Sequence, residues 1–374
     1  MRIRPFQAVY PNLDIITSVD TFFGRVKYEY PDYKKEGFFS KVAEEAIYIY
    51  RISKPDRNYT GLIACSDIHD YLEGKIKKHE NTLRLKERQQ MQLTIRRNAI
   101  LKPVLLIYPR VDEITKLLND FIERNRFFFE TEFEKENQIH TFWKIRDKSL
   151  IQQIQNLFLE KVPITYIADG HHRCSSTALM YQMMGKNDKG EPYDVLLSAF
   201  FPADELEIHD FNRIVERECS LTTFMAKLSR VFDIDVLEEP MKPAKKFEIV
   251  MFINHEWFKL SWKELVLKSC EGQKVVLDAS LLDEHVLQNI MGIDDIRSST
   301  RLKYVEGPKG LSALKSSVIK NDNNVGFCLF PVELKDIIMV ADMGKTMPPK
   351  STFFEPRIKN GLIVQEFEKG LSKL

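Results

Sequence analysis

Apolar and polar positions along the chain divide it into many short elements of both kinds. Ala46 through Ile52 reads as a strand, Lys54 to Asn58 as a turn, and Tyr59 to Ser66 as a returning strand, so a β-hairpin is expected. Residues 83–101 have helix-forming composition and stop before Pro103, and Val104 to Tyr108 is an uninterrupted apolar run expected to be a buried strand. Residues 112–124 place Ile114, Leu117, Leu118, Phe121 and Ile122 at helical spacing. A strand at 139–145 and an amphipathic helix at 147–159 lead into a second apolar run at 164–168, then a helix over 174–183. Beyond an exposed loop at 186–192, residues 195–201 read as a buried strand and 219–233 as a helix. A second hairpin is expected around Asn254-His255, then a helix over 277–291 and strands near 325–330 and 337–341. Pro5, Pro11 and Pro31 are expected to break any long element in residues 1–40. Helices and strands mix irregularly, which predicts an α+β fold rather than a doubly wound sheet. A proline-rich, charged stretch from Leu237 to Pro243 marks a soft boundary between domains 1–237 and 238–374.

Length and charge narrow the class. At 374 residues the chain has room for more than one core, and a formal net charge of +1 provides no global field for nucleic acid or an anionic membrane. That balance, with no recognisable reader helix, argues against a nucleic-acid partner. No apolar run is long enough to span a bilayer, so no membrane association is expected. The five cysteines are scattered and contain no CxxC pair, which argues against a disulfide framework or structural zinc and fits a reducing cytoplasm.

The densest chemistry lies at the second apolar run. Ile164 to Ala168 predicts a buried strand, and Asp169-Gly170-His171-His172-Arg173 follows at once, just before the helical run. A helix start has unpaired N–H groups and a favourable dipole for an anion. Gly170 allows close approach of backbone to ligand, Arg173 can fork onto phosphate or carboxylate, and Asp169 could hold a metal ion or cap the helix. The competing reading is a plain helix cap with two solvated histidines. Cys174 could be a reactive thiol at a helix start or an ordinary buried cysteine.

Two further clusters stand out. His79-Glu80 lies in a segment with three nearby lysines and offers either a general base or a surface turn. Met347-Pro348-Pro349-Lys350-Ser351-Thr352, continuing to Arg357, offers cations and hydroxyls on a stiff backbone. It lacks the glycine spacing of a P-loop, so a packed structural loop is equally compatible.

Through Arg4-Pro5-Phe6, Gly74 to Thr82, Ala168 to Arg173, His209-Asp210-Phe211-Asn212-Arg213, Leu277-Asp278 and Met347 to Gly361, the chain resembles the DUF1015 proteins. The Asp169 to Arg173 motif also resembles the ParB/sulfiredoxin-like superfamily, which includes free serine kinases. That resemblance implies a ParB/sulfiredoxin-like mixed core with a C-terminal α+β region. It also implies a nucleotide-dependent phosphotransferase acting on free serine or a similar hydroxyl compound, with ATP or ADP and Mg²⁺. In such a site Glu80 would be the base, and Asp169 and His172 would join it, Asp169 as metal ligand. Gly170, His171 and Arg173 would cradle phosphate, assisted by Lys350, Ser351 and Thr352, and His79 and Arg213 would contact substrate. The chain departs from the family after Lys86-Glu87, where Arg88-Gln89-Gln90 replaces an expected acidic-arginine pair. Two other functions compete: a nucleotide-binding regulatory module without turnover, and a metal hydrolase built on His79, Glu80, His171 and His172.

Overall fold

A computed structural model describes residues 1–185 and 193–367, so the loop expected at 186–192 lies outside the described residues. The fold class is α+β, and contacts divide the chain into two compact units. One comprises residues 1–207 together with 356–374, and the other residues 208–355. The proline-rich stretch 237–243 falls within the second unit, between two strands of one sheet.

The first unit is built on a nine-stranded mixed sheet. Its central strand, Val195–Pro202, runs parallel to Val104–Tyr108 and antiparallel to Asn58–Asp67. On one side the order continues through Thr165–Asp169 to Ile76–Lys77; on the other it passes through Ile47–Ser53 and Gln138–Ile145 to Phe129–Phe133. The uniformly apolar strands lie in the middle of the sheet, where both faces are covered; Val104 to Tyr108 is buried at every position. The helices Asp112–Arg124 and Lys148–Lys161 contribute Ile114, Leu118, Ile151, Ile154 and Phe158 to that core. A small four-stranded sheet places Val364–Glu366 between Ala8–Pro11 and Ala99–Ile100, so the C-terminal segment returns to the first unit.

The second unit has a six-stranded antiparallel sheet in the order Phe232–Leu237, Glu256–Trp262, Glu248–Ile253, Asn324–Leu329, Phe211–Glu216, Leu302–Glu306. The hairpin around Asn254-His255 is present, and both residues have positive φ, as a tight two-residue turn demands. Trp143 and Trp257 are core residues of their respective units.

Several expectations fail for identifiable reasons. Residues 19–35 form one helix, Val19–Lys35, despite Pro31. Phe22, Phe23, Val26 and Tyr30 all bury on one face, and that burial outweighs the hydrogen bond lost at Pro31, well along the helix. The helix expected over 219–233 stops at Leu228, and Phe232–Leu237 pairs as a strand with Glu256–Trp262. The run Ile337 to Ala341 is helical, within Leu334–Asp342, because Asp336, Ile337, Val340 and Ala341 bury at one- and four-residue steps. Short apolar runs do not distinguish strand from buried helix by composition. The helix expected over 277–291 is a short α-helix, Asp278–Leu281, followed by a wider π-helical segment, Leu282–Gln288.

Gly61 is fixed by contact rather than by turn geometry. A β-carbon there would stand 2.5 Å from the Phe200 carbonyl oxygen and 2.7 Å from the Phe201 ring. Since backbone cannot yield as a flexible side chain can, Gly61→Ala should destabilise the first unit by about 1–3 kcal/mol. Urea unfolding followed by tryptophan fluorescence checks this, and an unchanged midpoint would show that the strands there separate freely.

Candidate functional site

All of Asp169 to Arg173 lies in the first unit, at the junction expected from the pattern. The strand runs Thr165–Asp169, Gly170 is the cap residue, and the helix runs His171–Met184. The strand's pairing with Val104–Tyr108 shifts register between Ile167 and Asp169. Such a bulge re-aims side chains at a strand end, and here it falls immediately before the polar cluster. Gly170 has φ +113°, a conformation that a side chain would strain, and its absent β-carbon makes room for Arg173. An added methyl group would stand 2.6 Å from Arg173 Nη2. The Gly170 carbonyl accepts the N–H groups of Arg173 and Cys174 at 2.8 and 3.0 Å, which closes the first turn.

Asp169 gathers three cations. Its Oδ2 accepts from Lys102 Nζ at 3.0 Å and from Arg173 Nη2 at 2.9 Å, while its Oδ1 faces Arg357 Nη1 at 3.4 Å. Burial opposes ionisation of this carboxyl, but the cations, Arg173 foremost, outweigh it and hold it well below the usual carboxylate range. Burial pulls the Lys102 ammonium down, and Asp169 counteracts that pull. Both carboxylate oxygens are thus turned toward cations, an arrangement that fits poorly with a resident Mg²⁺ on Asp169. Lys102 was not among the sequence candidates; it precedes a buried strand in an ordinary Lys-Pro pair and lies 67 positions from Asp169. Arg357 stands in the sequence only as the end of the Met347 cluster.

The histidines and Glu80 form a second layer. The His79 backbone N–H donates to His171 Nε2 at 3.4 Å, and the two rings meet edge-to-face with centroids 4.5 Å apart. The other ring nitrogen of His171, Nδ1, lies 3.7 Å from Glu80 Oε2. Burial pushes His79 down to about 4, and burial with the neighbouring His79 takes His171 well below the ordinary imidazole value. Both rings are therefore neutral at pH 7. With Nε2 accepting, the network assigns the His171 proton to Nδ1, on the side of Glu80. His171 has both ring nitrogens engaged within the protein, which leaves little for a metal ion. His172 is partly exposed in the first helical turn, and the partly exposed Glu80 is reachable by a small molecule. Burial pushes the Cys174 thiol up to about 12, so it is an ordinary core cysteine.

The remaining candidates belong to the second unit. Arg213 is fully buried there, 3.5 Å from Asp283, and Lys350 sits over the Phe211 ring at 5.1 Å. Ser351 is buried and donates to the Pro348 carbonyl at 2.8 Å, and Thr352 is partly exposed. Asp278 accepts from Trp262 Nε1 and from the Phe247 N–H, both at 3.0 Å. In the first unit, Arg4 bridges Asp67 at 2.5 Å and Asp194 at 2.9 Å. The Arg-Pro-Phe and Leu-Asp signals therefore have structural work to perform in their own units.

The burial of His79 has a measurable consequence. Its folded value lies near 4, below the unfolded value of about 6.5. Between those limits the unfolded chain takes up a proton that the folded chain refuses. His79's contribution is fully present above about pH 6.5 and declines as pH falls across that window. His171, shifted in the same direction, adds to the decline. In His79→Gln the thermal midpoint should fall less steeply between pH 6.5 and 4 than in the parent chain; identical slopes would show that His79 titrates normally.

No curated protein matches the chain. Among solved structures it is similar to SbnI with a C-terminal truncation from Staphylococcus aureus, at 13% identity and a TM-score of 0.40, covering 78% of this chain and 82% of that one. A free serine kinase in complex with AMP is similar at 12% identity and a TM-score of 0.38, over 78% of this chain and 86% of that one. A conserved hypothetical protein from Pyrococcus furiosus matches at 12% identity and a TM-score of 0.38, over 80% and 94%. Among the described residues no helix is long and apolar enough to cross a membrane, and all five cysteines are free. A family model described as protein of unknown function (DUF1015) matches residues 11–284, close to three quarters of the sequence, and the chain belongs to that family.

Proposed function

We propose that the protein is a nucleotide-dependent phosphotransferase acting on free serine or a similar small hydroxyl compound. The observation that carries this reading is the combination of three cations gathered on Asp169 at a helix start with a carboxylate, Glu80, held beside His171 in the same unit. Phosphoryl transfer demands mainly positioning and stabilisation of negative charge. One carboxylate against three cations leaves a positive excess, and the helix start adds its dipole. Arg173 and the first helical turn would receive the transferring phosphoryl group of ATP or ADP, with Lys102 and Arg357 reinforcing the charge. Asp169 would act as a positioning residue that keeps the cations apart and oriented. Any Mg²⁺ would arrive as the counter-ion of the nucleotide. Glu80 would accept the hydroxyl proton, oriented by the Nδ1–H of His171, while His79 would support His171 from behind. The choice of serine rests on the resemblance of the Asp169 to Arg173 motif to free serine kinases.

Two substitutions separate turnover from binding. Glu80→Gln keeps size and hydrogen bonding but cannot take a proton, so nucleotide affinity should stay nearly intact while product formation falls roughly a hundredfold or more. Arg173→Ala should weaken both together. Calorimetry with ATP and with ADP, beside an assay for phosphoserine and related phosphomonoesters, checks both. Nucleotide binding with no product from any hydroxyl compound would replace this reading with the regulatory-module reading, and loss of binding altogether in the parent chain would refute both.

A further inference from the structure

A polar cavity of about 200 Å³ opens within the first unit, on the side of Arg173 toward the helix Arg84–Arg97. At roughly 30 Å³ per water molecule it has room for several waters or one small polyatomic ion. Its walls carry Lys27, Arg97, Lys102 and Arg173 and no acidic residue. Lys102 and Arg173 are shared with Asp169. Arg97 and Lys27 face no carboxylate among the described residues.

Arg97 is the decisive group. It is only 8% exposed, and its Nε and Nη2 are buried with no hydrogen-bond partner. Those two N–H groups point along one edge of the guanidinium, the edge that grips an oxyanion through two parallel hydrogen bonds. A buried cation left without partners is expensive, and proteins ordinarily pair such a group or bring a ligand to it. Burial takes the Arg97 guanidinium down to about 10, so it remains charged at neutral pH. Helical spacing orders the wall: Gln90, Thr94 and Arg97 lie four and three residues apart and share one face. Thr94 Oγ1 donates to the Gln90 carbonyl at 3.1 Å.

We infer that this cavity is a phosphate-binding site in its own right, in which Arg97 grips the dianion edge-on and Lys27 closes the opposite side. Arg97 and Lys27, which face no carboxylate among the described residues, beside Lys102 and Arg173, which share the single charge of Asp169, suit a doubly charged oxyanion better than a single carboxylate. The site shares a wall with the proposed transfer site but does not depend on transfer or on nucleotide binding. It would accept free phosphate or the terminal group of a phosphomonoester.

The test titrates inorganic phosphate, and separately phenyl phosphate, into the full chain by calorimetry. Phosphate binding should weaken at least tenfold in Arg97→Gln and stay unchanged in Arg96→Gln, whose side chain is exposed one position earlier on the same helix. Gln90→Glu guards against a folding artefact, because it adds a carboxylate to the same wall. It should raise the thermal midpoint, by pairing with the uncompensated guanidinium, and abolish phosphate binding at once. Binding of both ligands marks a pocket open to monoesters, and binding of inorganic phosphate alone marks a closed one. The inference is overturned if the parent chain binds no phosphate at millimolar concentration. It is equally overturned if folded Arg97→Gln and Gln90→Glu bind as the parent does, or if only Arg173→Ala loses binding. Loss of nucleotide turnover with phosphate binding at Arg97 intact would sink the transfer reading and leave this one standing.

Discussion

The first unit's chemistry depends on one carboxylate. Asp169 stands at the end of a buried strand with Lys102, Arg173 and Arg357 around it, and those cations come from three separate parts of the chain. Three positive groups this close would repel one another strongly in a partly dry setting. With the carboxylate in place, each cation has a fixed direction and the cluster still carries an excess of positive charge. Removing the carboxylate would leave those charges uncompensated, the costly half of breaking a buried pair. The same balance explains why Asp169 makes a poor metal ligand here: its oxygens are already committed.

Around that balance the local backbone is arranged with little freedom. The register shift near Ala168 and the left-handed Gly170 turn the chain from strand to helix within two residues. Because Gly170 has no side chain, the Arg173 guanidinium can fold back over the turn to reach Asp169. The His79 N–H bonded to His171 then ties a distant segment to the same helix start. Glu80 follows in sequence, and its carboxylate lies 3.7 Å from His171 Nδ1. Two buried, neutral imidazoles in edge-to-face contact make a tie that adds no charge to compete with the cations.

Part of this was legible from residues alone. The apolar run Ile164 to Ala168, the glycine and the basic residues identified the junction, since period and turn chemistry are local properties. The proximity of Glu80 to His171 was anticipated only through family resemblance. Lys102 and Arg97 were invisible because nothing in a Lys-Pro pair or in a helix with many basic residues marks which cation is buried. Tertiary packing also overrode local rules where large apolar faces were available. The aromatic face of Val19–Lys35 carried a proline within the helix, and the face of Leu334–Asp342 drew a strand-like run into helical form.

The chain order imposes a further constraint. Arg357 and the strand Val364–Glu366 belong to the first unit, yet residues 208–355 form the second before the chain reaches them. Val364–Glu366 completes a sheet between Ala8–Pro11 and Ala99–Ile100, joining segments from three widely separated parts of the sequence. Tyr30 adds a bond from its hydroxyl to Glu366 at 2.7 Å, and Asn98 Nδ2 donates to the Phe367 carbonyl at 2.7 Å. Asn98 is the left-handed cap of the helix that carries Arg97, so the returning segment also fixes where that helix ends. Neither the full cation set on Asp169 nor the wall bearing Arg97 is finished until residues beyond 355 are in place. The stretch matched by the family model ends at residue 284, so Arg357 beside Asp169 and Asn360 in the wall of the Arg97 cavity both lie beyond it. The polar sites of the first unit are therefore products of long-range closure, in which the last part of the chain supplies one cation and pins the helix that supplies another.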